Sequence, residues 1–207
     1  MARFISSTFG KISGKHGSAV AAVRKDGLNI LKVYRIASNP NTKGQKNQRG
    51  KFGFVMKELN SLRKVFTQTY GGQYGINKAV ALTMKTAVTG EFPDFSLDYS
   101  KLQLSNGSLN KIEDLKAEQV NSTTFRVSWS TELYNLSSPD DIVNLVCMDP
   151  VKKQIIIQNS VTRGIGYIET EIPVGWLLHD IHCWIFLSSP HTGSFSTSQY
   201  ILPPHRL

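Results

Sequence analysis

The hydrophobic positions change period along this chain, and each change marks an element. Residues 18–36 alternate: Ile30, Lys32 and Tyr34 fall on one side of an extended run and Leu31, Val33 and Arg35 on the other. Asp26-Gly27 sits between this run and Ala19–Lys25, so a β-hairpin over about 18–36 is expected, closed by a two-residue type I′ turn. Apolar residues with a cation among them on each side suggest a ribbon packed on both faces. Asn39-Pro40-Asn41 then ends the strand. Thr42 through Gln45 reads as a capping box: Thr42 accepts from a first-turn amide and Gln45 reaches back. Phe52, Val55, Met56, Leu59, Leu62 and Phe66 recur at three and four, which predicts a helix over about 42–67. After Tyr70–Gly75 a second helix is expected over about 76–89, with Ala79, Ala81 and Ala87 for close packing and Gly90 as its stop.

From residue 91 the pattern becomes that of short strands. Glu91–Asp94 reads as a connector and Ser96–Ser105 as a strand. Further runs follow at Thr124–Ser130, Ile142–Met148, Gln154–Gln158, Gly166–Ile172, His182–Leu187 and Ser196–Ile201, separated by Ser-, Pro- and Gly-containing turns. Such spacing predicts a β-sandwich. The fold class expected is therefore α+β: a basic α+β region over 1–95, a strand and connector over 96–115, and a sandwich over 116–207.

Composition changes this picture in one respect. The 207 residues are 40% hydrophobic and 19% charged, ordinary for a folded chain. The net charge of +9, however, is unevenly placed. Residues 1–90 hold sixteen Lys or Arg against two acids, and residues 91–207 hold eight against thirteen. A basic region of this kind points to an anionic partner or to the acidic half of another copy. The candidate contacts are Arg24, Lys25, Lys32 and Arg35 of the hairpin with Lys43, Lys46, Arg49 and Lys51 of the first helix. Asn39, Pro40, Thr42 and Gln45 form the structural motif between them.

Chemistry is sparse. Gly10 and Gly14 are separated by three residues, and His16 stands where a phosphate loop needs Ser or Thr. Of His16, His179, His182, His191 and His205, only His179 and His182 are close, three apart and on opposite faces of an expected strand, and no Cys or carboxylate cluster completes a tetrahedral set. Cys147 and Cys183 fall on expected strands and could face each other across the sandwich, but they read as two buried thiols. No Gly-x-Ser-x-Gly elbow occurs. The expectation is no enzyme, no metal and no organic cofactor. Neither an apolar run long enough to span a membrane nor a signal-peptide pattern appears, so a cytoplasmic or particle-associated protein is expected.

Several strings carry a resemblance. They are Phe9–Lys15; Ser38-Asn39-Pro40-Asn41-Thr42 with Gln45, Arg49 and Phe52; Thr89-Gly90; Phe92-Pro93; Asp98–Lys101; and Gly107-Ser108-Leu109. Over nearly its whole length the chain resembles a family of bacterial proteins of similar size, known as a domain of unknown function. It departs from the family's habit at Lys43-Gly44, where Pro-Ala is frequent. The resemblance implies a shared fold and no activity. The C-terminal part separately resembles a fibronectin type III or immunoglobulin-like module, on the Phe125–Trp129 strand and the Cys183–Tyr200 hairpin. That likeness implies interaction rather than catalysis. The leading expectation is a non-catalytic interaction or assembly protein, in a particle- or phage-associated setting, with protein partners or self-association. The alternative is a nucleic-acid-binding protein using the basic hairpin and helix, and the third an enzyme of unrecognised type.

Overall fold

A computed structural model of the chain describes residues 2–5, 8, 10–36, 38–39, 41–133 and 137–202, apart from the side chain of Gln73. Pro40, His205 and Phe9 lie outside the described residues. Two compact units emerge, Met1–Thr42 and Lys43–Leu207. The helices expected to belong with the hairpin in a region ending at 95 fall instead in the second unit, because their apolar stripe packs on the sandwich.

The first unit is a four-stranded antiparallel sheet. The expected hairpin supplies β3 (Ala19–Val23) and β4 (Asn29–Val33). Two three-residue strands flank it, β1 (Ala2–Phe4) and β2 (Gly14–His16), in the order β1-β4-β3-β2. β2 replaces an expected turn, and β1 lies where the sequence pattern predicts no element. The hairpin turn also differs from type I′. Gly27 N–H donates to Arg24 O at 3.0 Å, Arg24 N–H donates to Leu28 O at 2.9 Å, and Gly27 alone among the turn residues has positive φ, at 83°. That is a three-residue loop with a bulge, in which only the glycine must be left-handed. The unit buries little, with Ala21 and Asn29 below 4% exposure. Asn29 clasps the loop before β2: its Oδ1 accepts from Ile12 N–H and its Nδ2 donates to Gly10 O.

The second unit opens with α1 (Lys43–Glu58), α2 (Arg63–Thr69) and α3 (Gly75–Thr86). Thr42 precedes α1 as its N-cap position. Gln45 Oε1 is buried and accepts no hydrogen bond within the described residues, while both Thr42 and Gln45 have polar partners. Replacing Thr42 by Ala is expected to cost about 1 kcal/mol, read as a lowered denaturant midpoint. The single helix expected over 42–67 breaks at Leu59–Leu62, where the backbone tightens into i→i+3 bonds, Leu62 N–H donating to Leu59 O and Arg63 N–H to Asn60 O. Phe52, placed in the buried stripe by spacing, is 49% exposed; Phe54 packs inward instead, against Phe95 at 5.9 Å between rings. The start of α3 runs so close to α2 that a Cβ on Gly75 would lie 2.1 Å from Phe66 O. The chain leaves α3 at Thr86, and Gly90, expected as a helix stop, lies in a hairpin of β5 (Val88–Glu91) and β6 (Asp94–Leu97). The expected connector Glu91–Asp94 is the turn of that hairpin and contains a cis Phe92–Pro93 bond. The strand expected over Ser96–Ser105 is confined to β6, and Tyr99–Lys101 forms a 3₁₀ turn.

Seven further strands build the sandwich. β7 (Lys116–Gln119), β8 (Thr124–Ser128) and β11 (Tyr167–Glu171) form a three-stranded sheet in the order β11-β8-β7. β9 (Ile142–Asp149), β10 (Gln154–Thr162), β12 (His182–Ser188) and β13 (Gln199–Ile201) form the four-stranded sheet β10-β9-β12-β13. Three antiparallel strands against four, in these orders, make a fibronectin type III-like sandwich at the C-terminus of an α+β chain. Its inner core contains Phe125, Val127, Trp129, Val143, Leu145, Cys147, Ile168, Cys183 and Ile185. The four-stranded sheet is covered on its other face too. Val146, Met148, Trp184 and Phe186 point into a second core with Val55, Leu59, Leu62, Phe66 and Val80 of the helices. This explains the near-continuous burial along β9 and β12, where alternation would be expected of a half-exposed strand. Cys147 and Cys183 do not face each other across the sandwich: they are opposite one another on neighbouring strands of one sheet.

Candidate functional site

The register of the first unit sorts its side chains into two unlike faces. Residues directly opposite in antiparallel strands share a face, and i, i+2 residues of one strand do too. Ala2, Leu31, Ala21 and Gly14 form one row, with Phe4, Asn29 and Val23 beside it and Val33, Ala19 and His16 beyond. This face is apolar, and with Lys11, Ile12 and Ser13 it borders a groove of about 670 Å³. The opposite face carries Arg3, Ile30 and Ala22 in one row and Lys32, Val20 and Lys15 in the next. Tyr34 continues it, its ring lying 4.1 Å under the Lys15 ammonium.

Arg3, Lys15, Lys32 and Tyr34 are all exposed. Lys32 and Lys15 stand two strands apart, about 10 Å, with half-buried Val20 between them. No acid shares this face. The one acid of residues 1–42, Asp26, is at the hairpin tip and pairs with Arg24 at 3.2 Å. Both side chains of that pair are exposed, so it contributes little to stability. The face therefore presents concentrated positive charge over a shallow apolar floor, a surface suited to anionic partners.

The predicted contacts divide accordingly. Lys32 belongs to the cationic face; Arg24 and Lys25 lie at the hairpin tip, and Arg35 lies just beyond β4. Lys43, Lys46, Arg49 and Lys51 are on α1 of the other unit. There Lys43 reaches Glu91 at 3.7 Å, and Arg49 is also engaged. Sequence reading missed Arg3 and Lys15. Their strands are three residues long and carry almost no periodic signal, and only the pairing with β4 and β3 reveals their common direction.

A second polar cluster lies in the other unit. Tyr99 OH donates to Glu58 Oε2 at 2.8 Å, and Lys153, at positive φ, pairs with the same carboxylate and donates to Tyr99 OH at 3.2 Å. The His182 ring stacks on Tyr99 at 4.2 Å, and its Nδ1 is 2.7 Å from Tyr200 OH. Burial, with the Glu58 carboxylate adding to it, pushes the Tyr99 phenol well up; burial pulls His182 down, against the opposing pull of Asp98. Glu58, Tyr99 and Lys153 are thus bonded to one another, and His182 to Tyr200. None of the cavities bordered by Phe4–Leu31, Asn60–Gln68 or Ser108–Ser194 is lined by them. The cluster ties the end of α1 and the 98–101 turn to the four-stranded sheet.

Its histidine makes stability depend on pH. With the folded His182 below its ordinary value, the unfolded chain takes up a proton first as pH falls, so stability is lost below about pH 6.5. Unfolding midpoints of the wild type should fall between about pH 7.5 and about pH 5.5, and a His182→Gln protein should lose less over that interval. Equal losses in the two proteins would assign the effect to other groups.

Among the described residues no group of three His, Cys, Asp or Glu is placed to hold a metal ion, and no helix is long and apolar enough to cross a membrane. No curated protein matches the chain. Among solved structures it is similar to the fibronectin type III domain of the human collagen α1(XX) chain, at 8% identity and TM-score 0.36 over 48% of this chain and 91% of that one. The fibronectin type III domain of human contactin 1 is another, at 9% identity and TM-score 0.29 over 49% and 85%. The family model described as "Family of unknown function (DUF6266)" matches residues 11–202, from the loop held by Asn29 to the residue after the last strand, and the chain belongs to that family.

Proposed function

We propose that this protein is a non-catalytic interaction protein. The sheet of Met1–Thr42 is its contact element, and the cationic face carrying Arg3, Lys15 and Lys32 meets an anionic surface. The observation that carries this reading is the register, which gathers three cations and no acid on one side of a four-stranded sheet. A protein partner or a second copy suits the face best, because Val20 and Ile30 are half-buried between the cations and offer apolar contact. The chain itself offers a weakly acidic surface. The outer face of the β7–β8–β11 sheet carries Glu118, Glu169 and Glu171 with Lys116 and Arg126, the last paired with Glu169, in a half of the chain where acids outnumber bases. A head-to-tail contact of that kind builds rings or open filaments, according to whether its rotation closes.

Nucleic acid is the second reading, favoured by Tyr34 on the same face with Lys15 over its ring, an aromatic beside cations. Light scattering across a salt series, with and without single- and double-stranded DNA, separates the two. Salt-sensitive oligomers without DNA support assembly. Particles that form only with DNA and disperse as salt rises support the second reading. A monomer indifferent to DNA at every salt concentration would overturn both.

A further inference from the structure

Cys147 and Cys183 are directly opposite each other on β9 and β12, the central strand pair of the four-stranded sheet. Both are wholly buried in the sandwich core, and the Cys183 thiol donates to Cys147 Sγ at 3.2 Å. Opposed residues of an antiparallel pair have Cα atoms about 4.5–5.5 Å apart, inside the roughly 4.4–6.8 Å span that a disulfide bridges. The sulfurs need to close by about 1.2 Å to reach the bonded distance near 2.05 Å, a movement within reach of side-chain torsions. The neighbours on these strands face the other way: Val146 and Trp184 point into the helix core. A covalent link here would therefore fasten the strand pair on which both cores are built.

We propose that Cys147 and Cys183 are an oxidative modification site, closing to an intrachain cross-strand disulfide when the chain folds in the presence of a small-molecule disulfide. One cysteine thiolate attacks the reagent RSSR. A protein–S–SR bond forms, the RS–SR bond breaks, and one RS⁻ leaves and takes up a proton as RSH. The second thiolate then attacks the protein sulfur of that mixed disulfide, the Sγ–Sγ bond forms, and the second RSH leaves. The protein gives up two protons and two electrons, and the reagent is reduced to two thiols. Closure belongs to folding rather than to the finished fold. In the native chain both thiols are sealed from solvent, and burial together with the neighbouring sulfur holds the Cys183 thiol in its protonated form.

The test compares two samples of full-length reduced protein in the same mixture of oxidised and reduced glutathione: one refolded from denaturant in it, the other kept native throughout. Refolded protein should lose two hydrogens by intact mass, show no alkylatable thiol when unfolded, run faster on a non-reducing gel and unfold at higher denaturant than the reduced form. Native protein should keep both thiols over the same time. Cys147→Ser should stop at a glutathione adduct on Cys183, which shows that the second thiol resolves the first. Refolded wild type that retains two free thiols, holds stable glutathione adducts or links into dimers would overturn the proposal. So would native tryptophan fluorescence recovered in reducing but not in oxidising buffer, since the bridge would then be incompatible with the fold.

Discussion

Replacing Trp184 by Ala is expected to lower the unfolding free energy by about 3–5 kcal/mol, a large share of the roughly 5–15 kcal/mol available to a native protein. Trp184 is wholly buried on the helix-facing side of β12. Its ring lies 5.8 Å from Tyr200, edge-on, and 6.5 Å from Tyr99. Truncation removes the largest side chain among those fully buried and leaves a void between helices and sheet. The indole Nε1 makes no hydrogen bond, so Trp184→Phe should cost less than half as much, having discarded an orphan donor along with the lost contacts. Denaturant unfolding followed by far-ultraviolet circular dichroism and by fluorescence checks both. Coincident midpoints are expected, because α1–α3 share this core with β9, β10 and β12.

The second large effect has the opposite sign. Arg163→Met should raise stability by about 1–3 kcal/mol. Arg163 is 1% exposed, its Nε and Nη1 have no acceptor, and no carboxylate pairs with it within the described residues. Its backbone is well used: N–H donates to Asp141 O at 2.8 Å, and O accepts from Trp129 Nε1 at 2.8 Å. Exchanging the side chain leaves both bonds in place. Met supplies similar length and flexibility without a charge to desolvate. A lower midpoint for the variant would mean that the guanidinium has a partner in solution and does work that the apolar side chain cannot.

Much of the architecture is legible in the order of residues. Asp26-Gly27 marks the hairpin, the spacing from Val55 to Phe66 marks helix, and the punctuated runs after residue 116 mark the sandwich. What escapes is long-range. The stripe of Val55, Leu59 and Leu62 announces a buried face without saying against what, so sequence alone groups the helices with the neighbouring basic hairpin. Their counterpart is Val146, Met148, Trp184 and Phe186, roughly ninety to one hundred and thirty residues on. The clue was present in β9 and β12, whose runs of unbroken apolar residues befit a sheet covered on both faces. The cationic face escaped for a related reason. Lys32 was visible on a strong strand, whereas Arg3 and Lys15 sit on edge strands too short to show a period. Their side is fixed by pairing rather than by any local preference.

The cationic face is most directly tested by salt elution from an immobilised polyanion, comparing two charge-matched triple variants. One is Arg3→Glu, Lys15→Glu, Lys32→Glu on the sheet; the other is Lys43→Glu, Lys46→Glu, Lys51→Glu on α1. Each removes three cations and adds three acids, so net charge alone cannot distinguish them. The sheet variant is expected to elute at distinctly lower salt than wild type, with the α1 variant close to wild type and all three proteins equally folded by melting temperature. Equal shifts for the two variants, or a larger one for the α1 variant, would contradict the assignment of the contact to the face of Arg3, Lys15 and Lys32.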